Sequence, residues 1–176
     1  MFIATSLDGF IARRDGGIDW LSIVETPGED YGYARFFADV DALCLGRRTY
    51  ETALGFEAKG FGWAYGDKPT IVLTHRDLPR ARETVELYSG DLAKLVERLR
   101  TTYRNIWFVG GGMVAGECLR LGLADEVCYS IVPILIGDGI SFFDALDRDV
   151  ALHLADVKAY RNGMVELRYA VRAPSR

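Results

Sequence analysis

The sequence lacks several features that mark common functional classes. Its three cysteines, Cys44, Cys118 and Cys128, stand apart without a C-x-x-C pair, and its two histidines are His75 and His153. This set offers neither a disulfide framework nor the spacing of a metal site, so we predict reduced thiols and no metal. No apolar run approaches the roughly 18 residues of a membrane span, and the amino terminus lacks a signal-peptide pattern. We therefore expect a cytoplasmic protein.

An excess of positive charge is also absent. Lys and Arg number 21 against 25 Asp and Glu, for a net charge of −4, so the overall field does not favour nucleic acid. With 176 residues, of which 49% are hydrophobic and 26% charged, the chain has the size and balance of one globular domain. We predict a single domain over residues 1–176, with no nucleic-acid or membrane partner.

Strand-like and helix-like segments alternate along the chain, a pattern typical of an α/β sandwich. The predicted strands are 1–5, 41–45, 70–74, 84–88, 105–109, 126–135 and a terminal hairpin of 150–160 and 164–171. The predicted helices are 29–38, 47–54, 92–102 and 113–121, and the predicted loops are 13–28 and 55–68. This order predicts a mixed, mostly parallel sheet with an antiparallel C-terminal hairpin and helices on both faces.

The strongest local signal lies in residues 43–51. A buried strand ends at Gly46, and a helix then begins with Arg47, Arg48 and Thr49. A helix N-terminus presents free N–H groups and partial positive charge, and the guanidinium and hydroxyl groups add donors, so the stretch predicts a phosphate site. The alternative is that the arginines are solvated surface charges and that Thr49 only caps the helix.

A second strand end is rich in glycine. It runs into a helix through Gly110, Gly111, Gly112, Met113 and Val114. Three glycines permit a close backbone approach, and a pyrophosphate can rest on such a turn. The pattern is not G-x-G-x-x-G, and the alternative is an ordinary tight connection between a strand and a helix.

A third strand end combines polar and basic residues. It consists of Leu73, Thr74, His75 and Arg76. In open α/β sheets, ligands bind outside the carboxyl ends of the strands. Because three strand ends carry glycines, arginines and hydroxyls, we predict that their tips, at Gly46, Thr74 and Gly110, meet to bind one phosphorylated dinucleotide.

Four motifs follow one another along essentially the full chain. They are S-L-D-G-F-I-A (6–12), D-A-L-C-L-G-R-R-T-Y-E (41–51), F-V-G-G-G (108–112) and I-G-D-G-I-S-F-F (136–143). Together they resemble the dihydrofolate-reductase superfamily, and more narrowly the reductase domain of bacterial bifunctional riboflavin-biosynthesis deaminase-reductases, in a stand-alone form. The resemblance implies a dihydrofolate-reductase-like three-layer sandwich.

The resemblance also implies where the cofactor, NADPH, binds. Gly46 to Thr49 would hold its phosphates, and Gly110 to Gly112 would support its pyrophosphate. Residues 73–76 would surround the adenosine, with Arg76 or Arg48 near the 2′-phosphate, which would select NADPH over NADH. The family often has a cis peptide bond between the two glycines that match Gly110 and Gly111.

At the nicotinamide end, the resemblance implies that Ala4 and Ile11 flank the ring. Residues 16–21 resemble the mobile loop that closes over it. Ile18 and Trp20 would form an apolar lid that excludes water. The alternative for both side chains is ordinary loop packing.

The substrate side departs from the family pattern. Dihydrofolate reductases use a carboxylate on the first helix, and Asp30 is the matching candidate, although an Asp at a helix start is also a good cap. The aromatic residue that often follows the glycines is Ala115 here. Tyr31, Tyr33 and Trp63 could instead line a pocket for a different flat heterocycle.

These observations predict an NADPH-dependent reductase that transfers hydride to a small planar heterocycle, either a pyrimidinone of the riboflavin-pathway type or a pterin-like or folate-like compound. The alternative is a non-catalytic NADP(H)-binding module with a degenerate substrate site. The long apolar run at 127–136 and the pairing of relatives through this end lead us to expect a homodimer.

Overall fold

The computed structural model describes residues 1–143 and 146–172. The strands are β1 (Phe2–Ser6), β2 (Phe10–Ala12), β3 (Ala42–Gly46), β4 (Thr70–Leu73), β5 (Val85–Tyr88), β6 (Ile106–Gly110), β7 (Glu126–Val132), β8 (Ile140–Ser141), β9 (Leu152–Ala159) and β10 (Val165–Val171). The α-helices are α1 (Tyr33–Asp39), α2 (Arg47–Phe56), α3 (Leu92–Arg100) and α4 (Gly112–Arg120). A 3-10 helix spans Asp19–Val24, and a π-helical turn spans Glu57–Phe61.

Two four-stranded sheets form the middle layer. One has the order β5-β4-β3-β6, with every neighbouring pair parallel. The other has the order β1-β7-β10-β9, in which β1 is parallel to β7 while β10 is antiparallel to both neighbours. The sheets meet where β1 contacts β6. This arrangement confirms the predicted mixed α/β fold with an antiparallel C-terminal hairpin.

Helices cover both faces of the parallel sheet because its central strand is apolar on both sides. In β3, Ala42 and Cys44 face α3 and α4, whereas Leu43 and Leu45 face α2. Successive strand residues point to opposite faces, so the continuous run A-L-C-L supplies two cores at once. α3 buries the apolar side chains that its sequence pattern predicts: Leu92, Leu95, Val96 and Leu99.

Several element boundaries differ from the sequence prediction for local reasons. The strand predicted to reach residue 135 ends at Val132, because Pro133 cannot donate a ladder hydrogen bond. The first helix begins at Tyr33 and not at residue 29, because Tyr31 and Gly32 have positive φ angles of 55° and 79°. The predicted loop at 55–68 is partly helical, since the π-helical turn continues α2.

Two short strands were not predicted. β2 pairs with β8 antiparallel, joining the turn after β1 to the I-G-D-G-I-S segment. Their three and two residues give too little alternation for a sequence signal. Across the described residues, no helix is long and apolar enough to cross a lipid bilayer.

Candidate functional site

The carboxyl ends of three parallel strands lie side by side at one edge of the sheet. β3 is central, and its last residue Gly46 pairs with Leu73 of β4. On its other side, Leu45 pairs with Gly110 of β6. Thr74 follows β4 directly. The structure therefore brings together the three strand tips that the sequence analysis predicted to meet.

Two helix N-termini open onto this edge without a side-chain cap. The residues that precede α2 and α4 are Gly46 and Gly111, and neither makes a capping hydrogen bond. α3 starts at the same edge but is capped, since the Asp91 side chain accepts a hydrogen bond from the Lys94 N–H. Free N–H groups at a helix start attract anions. The two uncapped helices therefore provide donors for phosphate oxygens.

The glycine turn after β6 depends on glycine for both conformation and space. Gly110 and Gly111 have φ angles of 130° and 89°. A Cβ atom on Gly112 would lie 2.7 Å from the Ser141 carbonyl oxygen. The Thr49 hydroxyl donates to the Gly110 carbonyl oxygen over 3.3 Å and so ties α2 to the turn. Among the described residues no peptide bond is cis, including the one between Gly110 and Gly111.

The basic residues at this edge differ in whether an acidic side chain forms an ion pair with them. Arg47 is engaged by Glu51, whose two carboxylate oxygens lie 2.6 and 2.8 Å from its Nη1. The implied phosphate role of Arg47 is weakened by this pair, which the i,i+4 spacing could have indicated. Arg48, His75 and Arg76 are exposed. Within the described residues, the guanidinium groups of Arg48 and Arg76 form no ion pair.

The loop after β4 is held by a residue that sequence reasoning missed. The buried Tyr50 hydroxyl donates to the Pro79 carbonyl oxygen over 3.0 Å and accepts from the Ala81 N–H over 3.1 Å. At the start of the loop, the Thr74 hydroxyl accepts from the Arg76 N–H over 3.0 Å. Tyr50 belongs to α2, so α2 fixes the loop that carries Arg76.

The residues implied at the nicotinamide end lie nearby. Ala4 and Ile11 are partly buried in β1 and β2. A Cβ atom on Gly46 would lie 3.3 Å from Cγ2 of Val114 in α4, so the starts of α2 and α4 pack closely. Met113 is 74% exposed and makes little packing contribution.

Asp8 fastens the turn after β1 to the 134–137 segment. Its carboxylate accepts hydrogen bonds from the Gly137 N–H over 2.7 Å and the Ile136 N–H over 3.3 Å. A hydrogen bond from the Ser6 side chain, with these two N–H groups, holds the pKa of Asp8 below its ordinary value. The carboxylate is therefore ionised at neutral pH and acts as a structural acceptor.

Trp20 occupies a core position, whereas the sequence analysis placed it in a mobile lid. It is only 2% exposed and packs with Val24, Val132 and Met164. This burial favours the alternative of ordinary loop packing for Trp20, because Val132 and Met164, far along the chain, pack against it in a way that local sequence does not reveal. Ile18 is 38% exposed and lies outside this cluster.

The same region is tied to the C-terminal hairpin. The Asn162 side-chain amide donates to the Val24 carbonyl oxygen over 2.9 Å and to the Tyr31 hydroxyl oxygen over 2.7 Å. The Tyr31 hydroxyl donates to the same Val24 oxygen. The turn that joins β9 to β10 therefore holds the end of the 3-10 helix in place.

Asp30, the candidate catalytic carboxylate, caps the first helix. It is exposed, and its two oxygens accept from the Gly32 and Ala34 N–H groups, each over 2.9 Å. These hydrogen bonds lower the pKa of Asp30, with Ala34 contributing most. A carboxyl with a lowered pKa gives up its proton below neutral pH and is a poor proton donor. The geometry favours the capping interpretation.

The three aromatic residues proposed for a substrate pocket are not brought together. Tyr31 packs edge-on against Tyr160, with ring centroids 5.0 Å apart. Trp63 lies beneath the Arg82 guanidinium, 4.1 Å from it. Tyr33 belongs to α1 and contacts a different group of rings. A single pocket lined by all three is therefore not formed.

A surface cleft of about 770 Å³ lies away from the strand tips. Its lining includes Thr70 and Val85, the first residues of β4 and β5, together with Arg98. It therefore opens at the opposite edge of the parallel sheet and takes no part in the candidate site.

Comparison with known proteins adds to this geometry. The chain is 34% identical over 174 residues to the uncharacterized protein YwjB of Bacillus subtilis, covering 98% of this chain and 97% of that protein. A crystal structure of a putative riboflavin biosynthesis protein from Shewanella sp. PV-4 has 30% identity and a TM-score of 0.88, covering 98% of this chain and 97% of the other. RibD of Acinetobacter baumannii shares the fold, with 18% identity and a TM-score of 0.68 over 97% of this chain and 56% of that one.

A family match accounts for nearly the whole chain. The RibD C-terminal domain family matches residues 1–166, which run from the start of β1 into β10. The matched range includes all three strand tips and both uncapped helices. The chain therefore belongs to the RibD C-terminal domain family.

Proposed function

We propose that the protein is an NADPH-dependent reductase that transfers hydride to a small planar heterocycle, a pyrimidinone of the riboflavin-pathway type or a pterin-like or folate-like compound. Membership in the RibD C-terminal domain family supports an oxidoreductase of the riboflavin-pathway type. The observation that carries the cofactor proposal is the pair of uncapped helix N-termini at one sheet edge, close to the unpaired guanidinium groups of Arg48 and Arg76.

The residues at this edge fit a dinucleotide. Gly110 and Gly111 have positive φ angles, and Gly112 lets the start of α4 pack against the Ser141 carbonyl oxygen, so the turn holds the uncapped α4 N-terminus at the edge where a pyrophosphate would bind. The N–H groups at the start of α2 face the same edge and would bind further phosphate oxygens, while the Thr49 hydroxyl donates to the Gly110 carbonyl oxygen and holds α2 against the turn. When bound, NADPH supplies the hydride, and the protein contributes positioning and exclusion of water.

A preference for NADPH over NADH would follow from the two unpaired arginines. The two cofactors differ by the 2′-phosphate, and an arginine binds a phosphate through charge-assisted hydrogen bonds. Arg76 is held in place because the Thr74 hydroxyl accepts from its N–H and Tyr50 anchors its loop. Arg48 lies on the first turn of the adjacent helix. We propose that one or both contact the 2′-phosphate.

Thermal shift with each cofactor tests this assignment. We expect NADPH at 100 times its dissociation constant to stabilise the wild type by about 2.7 kcal/mol, with a smaller effect from NADH. Replacing Arg48 or Arg76 with alanine should raise the dissociation constant for NADPH by roughly tenfold or more, because a hydrogen bond to a charged group is worth about 1.5–3 kcal/mol. The affinity for NADH should change little.

The matched control is Arg104→Ala, since Arg104 precedes β6 at the opposite edge of the sheet. Equal responses to NADPH and NADH in all variants would rule out the 2′-phosphate contact, and no response to NADPH in the wild type would reject the cofactor.

Steady NADPH oxidation with a panel of pterins, pyrimidinones and quinones then tests the chemistry. NADPH binding without oxidation of any compound would favour a non-catalytic NADP(H)-binding module, which the capping role of Asp30 keeps as a second candidate.

We also propose that the protein forms a homodimer through the edge strand β9, and not through the 127–136 run, because β7 in that run is paired with β1 on one side and β10 on the other. Every residue of this edge strand is exposed, and Leu152, Leu154 and Val157 are 40%, 48% and 56% exposed. Antiparallel pairing of two β9 strands centred on Val157 would set Asp156 of one copy opposite Lys158 of the other. Light scattering should give about twice the 19.6 kDa chain mass. A monomer at high micromolar concentration would contradict the proposal.

A further inference from the structure

The connection between β4 and β5 runs back along α2 from one edge of the parallel sheet to the other. Because the two strands are parallel, residues 74–84 must return from the edge where β4 ends to the edge where β5 begins. We call these residues the crossover. All of them are described by the structure, and they contain neither a helix nor a strand. The crossover carries Arg76, so its conformation determines where this proposed ligand of the 2′-phosphate lies.

A charged anchor holds the far end of the crossover. The Nη2 of Arg82 lies 2.5 Å from Oε1 of Glu57, and the Arg82 guanidinium carbon lies 4.1 Å from the centroid of the Trp63 ring. Glu57 starts the π-helical turn after α2, and Trp63 lies two residues beyond that turn. The side chains of Arg82 and Glu57 are only 25% and 35% exposed, so salt screens this pair less than a fully exposed one. One segment outside the crossover therefore contacts the guanidinium on two sides.

Trp63 connects the charged anchor to the contacts of Tyr50. The Tyr50 ring meets the Trp63 ring edge-on, with centroids 6.0 Å apart. The Tyr50 hydroxyl forms its hydrogen bonds with the crossover at residues 79 and 81, and the side chain is fully buried. Side chains in such a close-packed core have little room to move. Residues 79, 81 and 82 are thus held against one unit, which consists of α2 and the π-helical turn.

We propose that Glu57, Trp63 and Arg82 position Arg76 for the 2′-phosphate and so set the preference for NADPH over NADH. The inference rests on the proposed NADPH-dependent function and extends it to residues that would not touch the cofactor. A crossover released from its charged anchor gains conformational freedom. The affinity for NADPH then falls with the fraction of molecules in which Arg76 is in the binding position.

The contacts that both cofactors would share do not depend on this anchor. The Thr74 N–H donates to the Tyr88 carbonyl oxygen over 2.9 Å, so the neighbouring strand holds the tip of β4. The Thr49 hydroxyl holds the start of α2 against the glycine turn. NADH lacks the 2′-phosphate that Arg76 would bind. Loss of the anchor should therefore weaken the binding of NADPH and leave the binding of NADH unchanged.

Arg82→Met tests the proposal because it keeps an apolar side chain and removes the guanidinium. Titration with each cofactor should show the dissociation constant for NADPH rising by about threefold to tenfold, no further than in Arg76→Ala, and that for NADH unchanged. Glu57→Gln, in a different segment, should act in the same direction. Arg100→Met is the matched control, because Arg100 also pairs with a carboxylate, that of Asp125, but joins α3 to the residue before β7. It should leave both dissociation constants unchanged.

A double variant shows whether the anchor acts through Arg76. In the Arg76→Ala background, Arg82→Met should cause no further rise in the dissociation constant for NADPH, because the group that it positions is already absent. An additive loss would overturn the inference, as would an equal loss for NADPH and NADH, or unchanged NADPH affinity in Arg82→Met and Glu57→Gln. Wild-type NADPH affinity in Arg76→Ala would overturn it too, because the anchor would have no ligand to position. Failure of the wild type to bind NADPH would instead reject the proposed function.

Discussion

Replacing Gly112 with alanine is expected to weaken NADPH binding by at least about tenfold and to destabilise the fold by about 1–3 kcal/mol, the usual cost of overpacking. The new Cβ would lie 2.7 Å from the Ser141 carbonyl oxygen and 3.2 Å from that of Phe142. Both contacts are backbone atoms, so no side chain can rotate away. The start of α4 must then move from β8, and its free N–H groups shift away from the edge that α2 shares.

Gly55→Ala is the matched control for this change. Gly55 lies in α2, and a Cβ there would meet nothing within 4 Å. Alanine in a helix is favoured over glycine by roughly 0.5–1 kcal/mol, so this variant should be as stable as the wild type or slightly more stable. Titration with NADPH and denaturant unfolding measure the two effects. Unchanged NADPH affinity in Gly112→Ala would contradict the prediction that NADPH binding depends on the position of the α4 N-terminus.

Trp20→Ala should lower the free energy of unfolding by about 3–5 kcal/mol, the usual cost of removing a buried tryptophan. The side chain fills the centre of a small cluster whose other buried members are Val24, Val132 and Met164. Domains of this kind are stable by only about 5–15 kcal/mol, so much of the stability depends on this residue. Trp20→Phe should cost less, because the indole Nε1 has no hydrogen-bond partner in the described residues to lose.

Urea unfolding followed by circular dichroism measures this effect. Phe61→Ala provides the comparison, since Phe61 is 78% exposed and its removal should change the unfolding free energy by no more than about 0.5 kcal/mol. Similar losses in the two variants would contradict the assignment of Trp20 to a core. A Trp20→Ala protein of wild-type stability would instead favour the original interpretation of a lid.

The sequence predicts well that three strand tips meet at one edge of the parallel sheet, because each of the signals is local. Gly46, Thr74 and Gly110 each follow a short apolar run, and parallel strands bring such ends to one edge. The end of β7 could also have been predicted from the sequence, because Pro133 breaks the run that the prediction extended to residue 135. Glycine and proline act on their own backbone, so their effects do not depend on distant partners.

The substrate side was less predictable because its contacts are long-range. Trp20 reads as a loop residue until Val132 and Met164, more than a hundred positions away, are folded against it. The sequence allowed two interpretations of Asp30, a catalytic carboxylate and a helix cap. Only its hydrogen bonds from the N–H groups at positions 32 and 34 distinguish them.

The hydrogen bonds from the Asn162 amide to Val24 and Tyr31 join parts of the chain that are far apart in sequence. The Val24 carbonyl oxygen and the Asn162 amide are separated by 138 positions along the chain. β1 also lacks a ladder partner until β7, which ends at Val132, is complete. Contacts that close such long loops form late and slow the search for the native state. The segment before α1 therefore cannot make these contacts until residue 162 has been synthesised.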